Sequence, residues 1–90
     1  MSEIFKKYFG KKVLIDTDSR WVFIGTLKEE DVFYLALENV DAFDSTEVSL
    51  SKHEYSILVK KDGIAPNRKK TDILKSKIIS ITLLSNILDK

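Results

Sequence analysis

Few side chains in this sequence are of a type and spacing that could do chemistry, and most of them sit in two short stretches. The first, EEDVFYLALENV at positions 29–40, sets Glu29, Glu30 and Asp31 directly before a run in which Phe33, Leu35 and Leu37 alternate with Tyr34, Ala36 and Glu38. Acids at such a junction could hold a ligand, or simply favour a turn through bonds to their own backbone. The second stretch puts Arg68, Lys69 and Lys70 beside Asn67. That cluster can contact phosphates in a salt-dependent way, or equally be a solvated surface loop. His53, beside Glu54, is the only histidine in a chain without cysteine, so no metal site is expected. The chain has no G-x-S-x-G, no phosphate-cradling glycine loop and no cysteine nucleophile, and its acids have no paired base. An enzyme is therefore not expected, nor any catalytic residue or cofactor.

The elements that must position these residues belong to one small domain, residues 1–90, with 43% hydrophobic and 32% charged residues and a single proline. A chain this short buries only roughly 60 to 70% of its unfolded surface, so self-association is a natural source of further stability. The amino terminus MSEIFKKYFG mixes charges with apolar residues. It reads as neither a signal peptide nor an anchor, which points to the cytoplasm and away from membranes. Charge is divided along the chain: eight acids against two lysines from Lys28 to Glu54, then seven bases against two acids from Lys60 to Lys77. Such a split suits a phosphate-facing surface or head-to-tail contact between copies, and also suits two solvated faces that merely differ.

Ile4, Phe5, Tyr8 and Phe9 fall at helical spacing and predict a short N-terminal helix within residues 1–10, capped by Ser2 and stopped by Gly10. Val13 and Ile15, then Trp21, Phe23, Gly25 and Leu27 after an Asp18-Ser19 turn, predict two antiparallel strands, with Gly25 at a bend. Trp21 reads as a packing or interface aromatic. A third strand is expected from Val32 to about Asp41, and its alternation makes Phe33 a core residue. Residues 44–70 form an insertion. Within it Ser51 and Glu54 make a capping box, Tyr55, Leu58 and Val59 an apolar stripe, and Gly63-Ile64 a left-handed cap, so a helix is expected from Ser51 to Lys61. APNRKK reads as loop. Two closing strands follow, turning near Ser76, with Ile79, Ile81 and Leu83 on one face. The fold class is thus mainly β: a small, strongly bent five-stranded antiparallel barrel with an N-terminal helix and a short helix inserted between strands 3 and 4.

This order resembles the Sm and Sm-like (LSm) family. Gly25, Leu27, Asp31 and the strand Leu35 to Leu37 match the first family motif, and Leu74, Lys75, Ser76 and Ile79 the second, with Lys for Arg and Ser for Gly. Together with the leading helix they span residues 3–43 and 71–83. Tyr34 stands where the family has an asparagine, the turn after Asp31 is one residue shorter, and the insertion is long; a bacterial Sm-like group carries a similar Gly-Ile…Asn-Arg insertion. The resemblance implies an SH3-type barrel assembling into a homo-oligomeric ring, pentamer to heptamer, through the strand near Val32 to Asp41 and the final strand. It implies single-stranded, uridine- or adenine-rich RNA at the ring opening. Carried over by position, Asp31 and Tyr34 form one wall, Phe33 or Tyr34 the stacking surface, and Lys75 with Ser76 the other wall; apart from the resemblance, Asn67 and Arg68 of the basic cluster are candidate contacts to the phosphate backbone. The alternative is an Sm-fold oligomeric scaffold without nucleotide recognition, whose inserted helix binds protein.

Overall fold

The computed structural model describes residues 2–89. Five strands, β1 (Lys12–Thr17), β2 (Trp21–Glu30), β3 (Tyr34–Asp44), β4 (Arg68–Leu74) and β5 (Ile78–Leu83), form one antiparallel sheet in the order β4-β3-β2-β1-β5. A one-turn helix α1 (Glu3–Lys6) precedes it, and α2 (Lys52–Asp62) is inserted between β3 and β4. The mainly β class, the five antiparallel strands and both helices are as expected from the pattern.

The sheet buries both faces, which is why so many of its strand residues are apolar. On one face Val13, Ile15, Leu27, Leu35, Leu37, Val40 and Ile73 form a core roofed by Phe5, Tyr8 and Phe9. On the other, Leu14, Val22, Ile24 and Phe43 pack against Val59 of α2 and against Leu84, with Tyr55, Ile64 and Ile87 at the margin. Each fully buried aliphatic chain contributes roughly 1.5–3 kcal/mol, so this two-sided burial is the main source of stability.

Three irregularities bend the sheet. Gly25 meets β3 where the register skips: Ile24 pairs with Asp41 and Thr26 with Glu38, leaving Asn39 and Val40 opposite one residue, with Asn39 at φ +51°. A Cβ on Gly25 would lie 2.9 Å from the Glu38 carbonyl oxygen, so the glycine permits this close approach. A second shift falls between Leu27 and Glu29. The third, between Asp16 and Thr17, leaves Ile79 as an extra residue on β5. It turns Ile78 onto the core face and Ile79 outward, 64% exposed, against the expectation that Ile79 shares a face with Ile81 and Leu83.

β4 and β5 lie at opposite ends of the strand order, yet only a three-residue 3-10 turn, Lys75–Lys77, joins them. So short a link forces the sheet to curl. The Asp18 N–H donates to the Lys77 carbonyl at 2.6 Å, and a cleft of about 320 Å³ has Trp21 and Phe23 of β2 and Asp72, Ile73 and Leu74 of β4 in its lining. β4 and β5 do not pair with each other, so the curled sheet is not closed.

Several boundaries differ from those expected. The N-terminal helix is four residues long and continues as turns with bonds from Tyr8 N–H to Phe5 O and Phe9 N–H to Lys6 O. Ser2 stands at its N-cap position but its side chain makes no capping bond, and Ile4 is exposed. β3 starts at Tyr34 and runs to Asp44. In place of a loop, Arg68, Lys69 and Lys70 open β4. Asn67 prepares that strand: its Oδ1 accepts from Ala42 N–H at 2.9 Å, its Nδ2 donates to Ala42 O at 3.0 Å, and its own N–H donates to Val40 O. An amide side chain thus extends the ladder by one rung. β3 is paired on both sides, so the free edges belong to β4 and β5 and not, as expected, to strand 3.

Candidate functional site

The β2–β3 turn and the β4–β5 turn meet at one tip of the sheet. Asp31 shapes the first: its Oδ1 accepts from Phe33 N–H at 2.8 Å and Tyr34 N–H at 2.7 Å, while its own N–H donates to Tyr34 O at 3.0 Å. A carboxylate serving two backbone donors makes a tight local turn. Phe33 is thereby thrown out of the strand and stands 66% exposed, contrary to its expected place in the core. Val32, Tyr34 and Leu74 are exposed beside it, Tyr34 lying opposite Leu74 in the β3–β4 register. The Lys75 N–H donates to Phe33 O at 2.8 Å and holds the two turns together. Asp31, Phe33, Tyr34, Lys75 and Ser76 are therefore gathered at one place.

Asn67 and Arg68 are not part of it. Arg68 lies opposite Val40, at the far end of β4 from Leu74. The two are six positions apart along the strand, a distance of roughly 20 Å. The amide of Asn67 is committed to Ala42, so its role is structural.

One acid of the opening stretch has a role that the sequence did not signal. Glu30, the last residue of β2, has a side chain only 2% exposed. Its Oε2 pairs with Lys75 Nζ, its Oε1 accepts from Ser2 N–H at 2.8 Å, and Oε2 also accepts from Ser2 Oγ at 2.7 Å. The bond from Lys75 is the main reason its carboxyl sits at about 2; the Ser2 bonds act the same way, and burial opposes them. Lys75 is itself 21% exposed and lies 5.5 Å from the centre of the Phe5 ring. Nothing local signals this pair, because its members are 45 residues apart.

Two small clefts flank the tip. One, about 150 Å³, is lined by Glu29, Glu30, Asp31, Tyr34, Ala36 and Asp72; the other, about 180 Å³, by Ser2, Glu30, Asp31, Val32 and Lys75. Carboxylates outnumber cations in both. What the tip offers chemically is a pair of exposed aromatic rings on a rigid turn, with its one lining cation already engaged. Among the described residues no group of three or more His, Cys, Asp or Glu could hold a metal ion, and no helix is long and apolar enough to cross a membrane. Compared with protein-family models and with curated proteins, the sequence matches none.

Proposed function

We propose that this chain is a cytoplasmic Sm-like protein whose curled sheet acts as an open barrel, pairs with copies of itself into a ring and presents single-stranded RNA with stacking surfaces at the ring opening. The observation that carries the assembly is the pair of unpartnered edges, β4 and β5, tied to one tip by a three-residue turn. A free edge carries unpaired main-chain donors and acceptors that another strand satisfies. The ligand reading rests on exposed Phe33 and Tyr34, since unpaired bases stack on aromatic rings with little sequence preference.

The second reading, an oligomeric scaffold without nucleotide recognition, is favoured by the neutralised Lys75 and the carboxylate-lined clefts, which offer phosphate little. Light scattering for mass and fluorescence anisotropy with labelled oligouridine and oligoadenine separate the two. The RNA reading expects an oligomer whose affinity falls about five- to 150-fold on Phe33→Ala or Tyr34→Ala, from stacks of roughly 1–3 kcal/mol. An oligomer that ignores both oligonucleotides establishes the scaffold, and a chain that stays single at high concentration removes both.

A further inference from the structure

Lys75 is the cation that the resemblance would place against RNA, yet it faces inward. Its ammonium is held by Glu30 and lies near the Phe5 ring, and Glu30 is in turn held by both the N–H and the hydroxyl of Ser2. A buried carboxylate fastened from two sides does not release its counter-ion without leaving a charge unpaired in a poorly solvated place. The two clefts flanking the tip reinforce the point: Glu29, Asp31 and Asp72 line the one beside Tyr34, Asp31 lines the other, and neither has a lysine or arginine in its lining apart from Lys75. A phosphate approaching here meets repulsion. The face of a base approaching Phe33 or Tyr34 meets an apolar ring.

We infer that Glu30 is the specificity-determining residue of this tip: by sequestering Lys75 it makes the contact one of base faces on Phe33 and Tyr34, without a grip on the phosphate backbone. The inference rests on the reading that the tip takes single-stranded RNA, and it names the part of that ligand which is bound.

Glu30→Gln tests it in the full chain. A glutamine keeps both Ser2 bonds, its oxygen accepting from the N–H and its amide nitrogen donating to Oγ, but it removes the charge that retains Lys75. The probes are labelled oligouridine and oligoadenine, titrated over a range of salt. Glu30→Gln is expected to bind more tightly than the wild type at low salt, with a log–log salt dependence steeper by about 0.7, because the freed Lys75 neutralises one phosphate. Adding Lys75→Met to Glu30→Gln returns both affinity and slope to wild-type values. Replacing both partners, Glu30→Gln with Lys75→Gln, exchanges the neutralised ion pair for an uncharged hydrogen-bonded one and leaves no charge unpaired; it is expected to keep wild-type affinity and slope, and it keeps the test intact should Glu30→Gln alone fold poorly. A weaker affinity and shallower slope for that double variant would show that Lys75 already holds phosphate in the wild type, and overturn the inference. So would a Glu30→Gln slope equal to that of the wild type. Wild-type binding with either of those results overturns the inference alone, whereas no binding by any of the proteins removes the RNA reading together with it.

Discussion

At Gly25 the backbone has no room for a side chain. The nearest neighbours of a Cβ there are the Glu38 carbonyl oxygen at 2.9 Å and Val40 Cγ2 and Cα at 3.2 and 3.3 Å, two of them main-chain atoms fixed by the sheet. Gly25→Ala is expected to destabilise the fold by about 1–3 kcal/mol, the cost of overpacking a well-ordered site, as read by urea denaturation. Glu30 makes a prediction of a different kind. Its carboxyl, held at about 2 chiefly by Lys75, binds fewer protons in the folded chain than in the unfolded one, where the ordinary value is 4.5. The sign follows from linkage: the stabilisation is complete above about 4.5 and is lost as pH falls toward about 2. Thermal melts across that window should show a steeper loss for the wild type than for Glu30→Gln. The bend at Gly25 is legible in the sequence because a glycine inside an alternating strand has few other uses. Phe33 is not. Its place in the alternation says core, and only the two backbone bonds taken by Asp31 eject it.

Helix α2 shows how a single element can be half legible. Its N-terminal box is as the residues suggest: the Glu54 N–H donates to Ser51 Oγ and the Ser51 N–H donates to Glu54 Oε1, both at 3.1 Å. Gly63 ends it at φ +91° with its N–H on Val59 O, and Ile64 packs behind. The buried face is not the one that apolar residues alone mark. Ser56 and Val59 are the buried positions, Leu58 is exposed, and Lys52 reaches back to Asp16 Oδ1 at 2.7 Å and Ser19 O at 2.8 Å. Tyr55 is the key to that face. Its ring stacks on Phe43 at 3.8 Å and 3° and its hydroxyl donates to buried Asp41, burial and that acceptor together pushing the phenol well above its usual range. Tyr55→Phe keeps the stack and strands the Asp41 oxygen, so it should cost about 1–3 kcal/mol in chemical denaturation. Leu58→Ser, by contrast, should stay within about 0.5 kcal/mol. The start of β4 is hidden for a related reason: Arg-Lys-Lys has no alternation to read, and the strand is set by Asn67 on Ala42 and by pairing with β3.

For the whole molecule, the acidic stretch from Lys28 to Glu54 is largely taken up by contacts within the fold. Glu30 is paired with Lys75, Asp31 closes a turn, Asp41 accepts from Tyr55, Asp44 lies 3.1 Å from Arg20 and accepts from Thr46, and Glu54 caps α2. Five of the eight acids of that segment are engaged this way, and besides the carboxylate-lined tip the sheet's two edges differ in charge. β4 opens with three exposed bases, Arg68, Lys69 and Lys70, whereas β5 runs Ile78-Ile79-Ser80-Ile81-Thr82-Leu83 without a charge. A row of bases opposes a second copy of itself, since like charges facing across a ladder repel, but it does not oppose an uncharged apolar strand. Within the proposed assembly, the pairing that these edges would favour is β4 of one copy with β5 of the next, a head-to-tail contact that would close a ring if the rotation between copies allows it. Ile79, pushed outward by the bulge at Asp16–Thr17, is the apolar side chain on that edge with most area left to bury. Ile79→Lys places a charge on the uncharged edge and forfeits roughly 1.5–3 kcal/mol of burial, weakening assembly by about tenfold or more. Because Ile79 is 64% exposed and belongs to neither buried cluster, the circular dichroism and melting of the Ile79→Lys variant as a single chain should match the wild type. Light scattering on both proteins at equal concentration reads the outcome: the wild type at a multiple of 10.3 kDa and the variant shifted toward one chain. Equal masses for the two would mean that β5 takes no part in the assembly, and the ring would have to be abandoned with it.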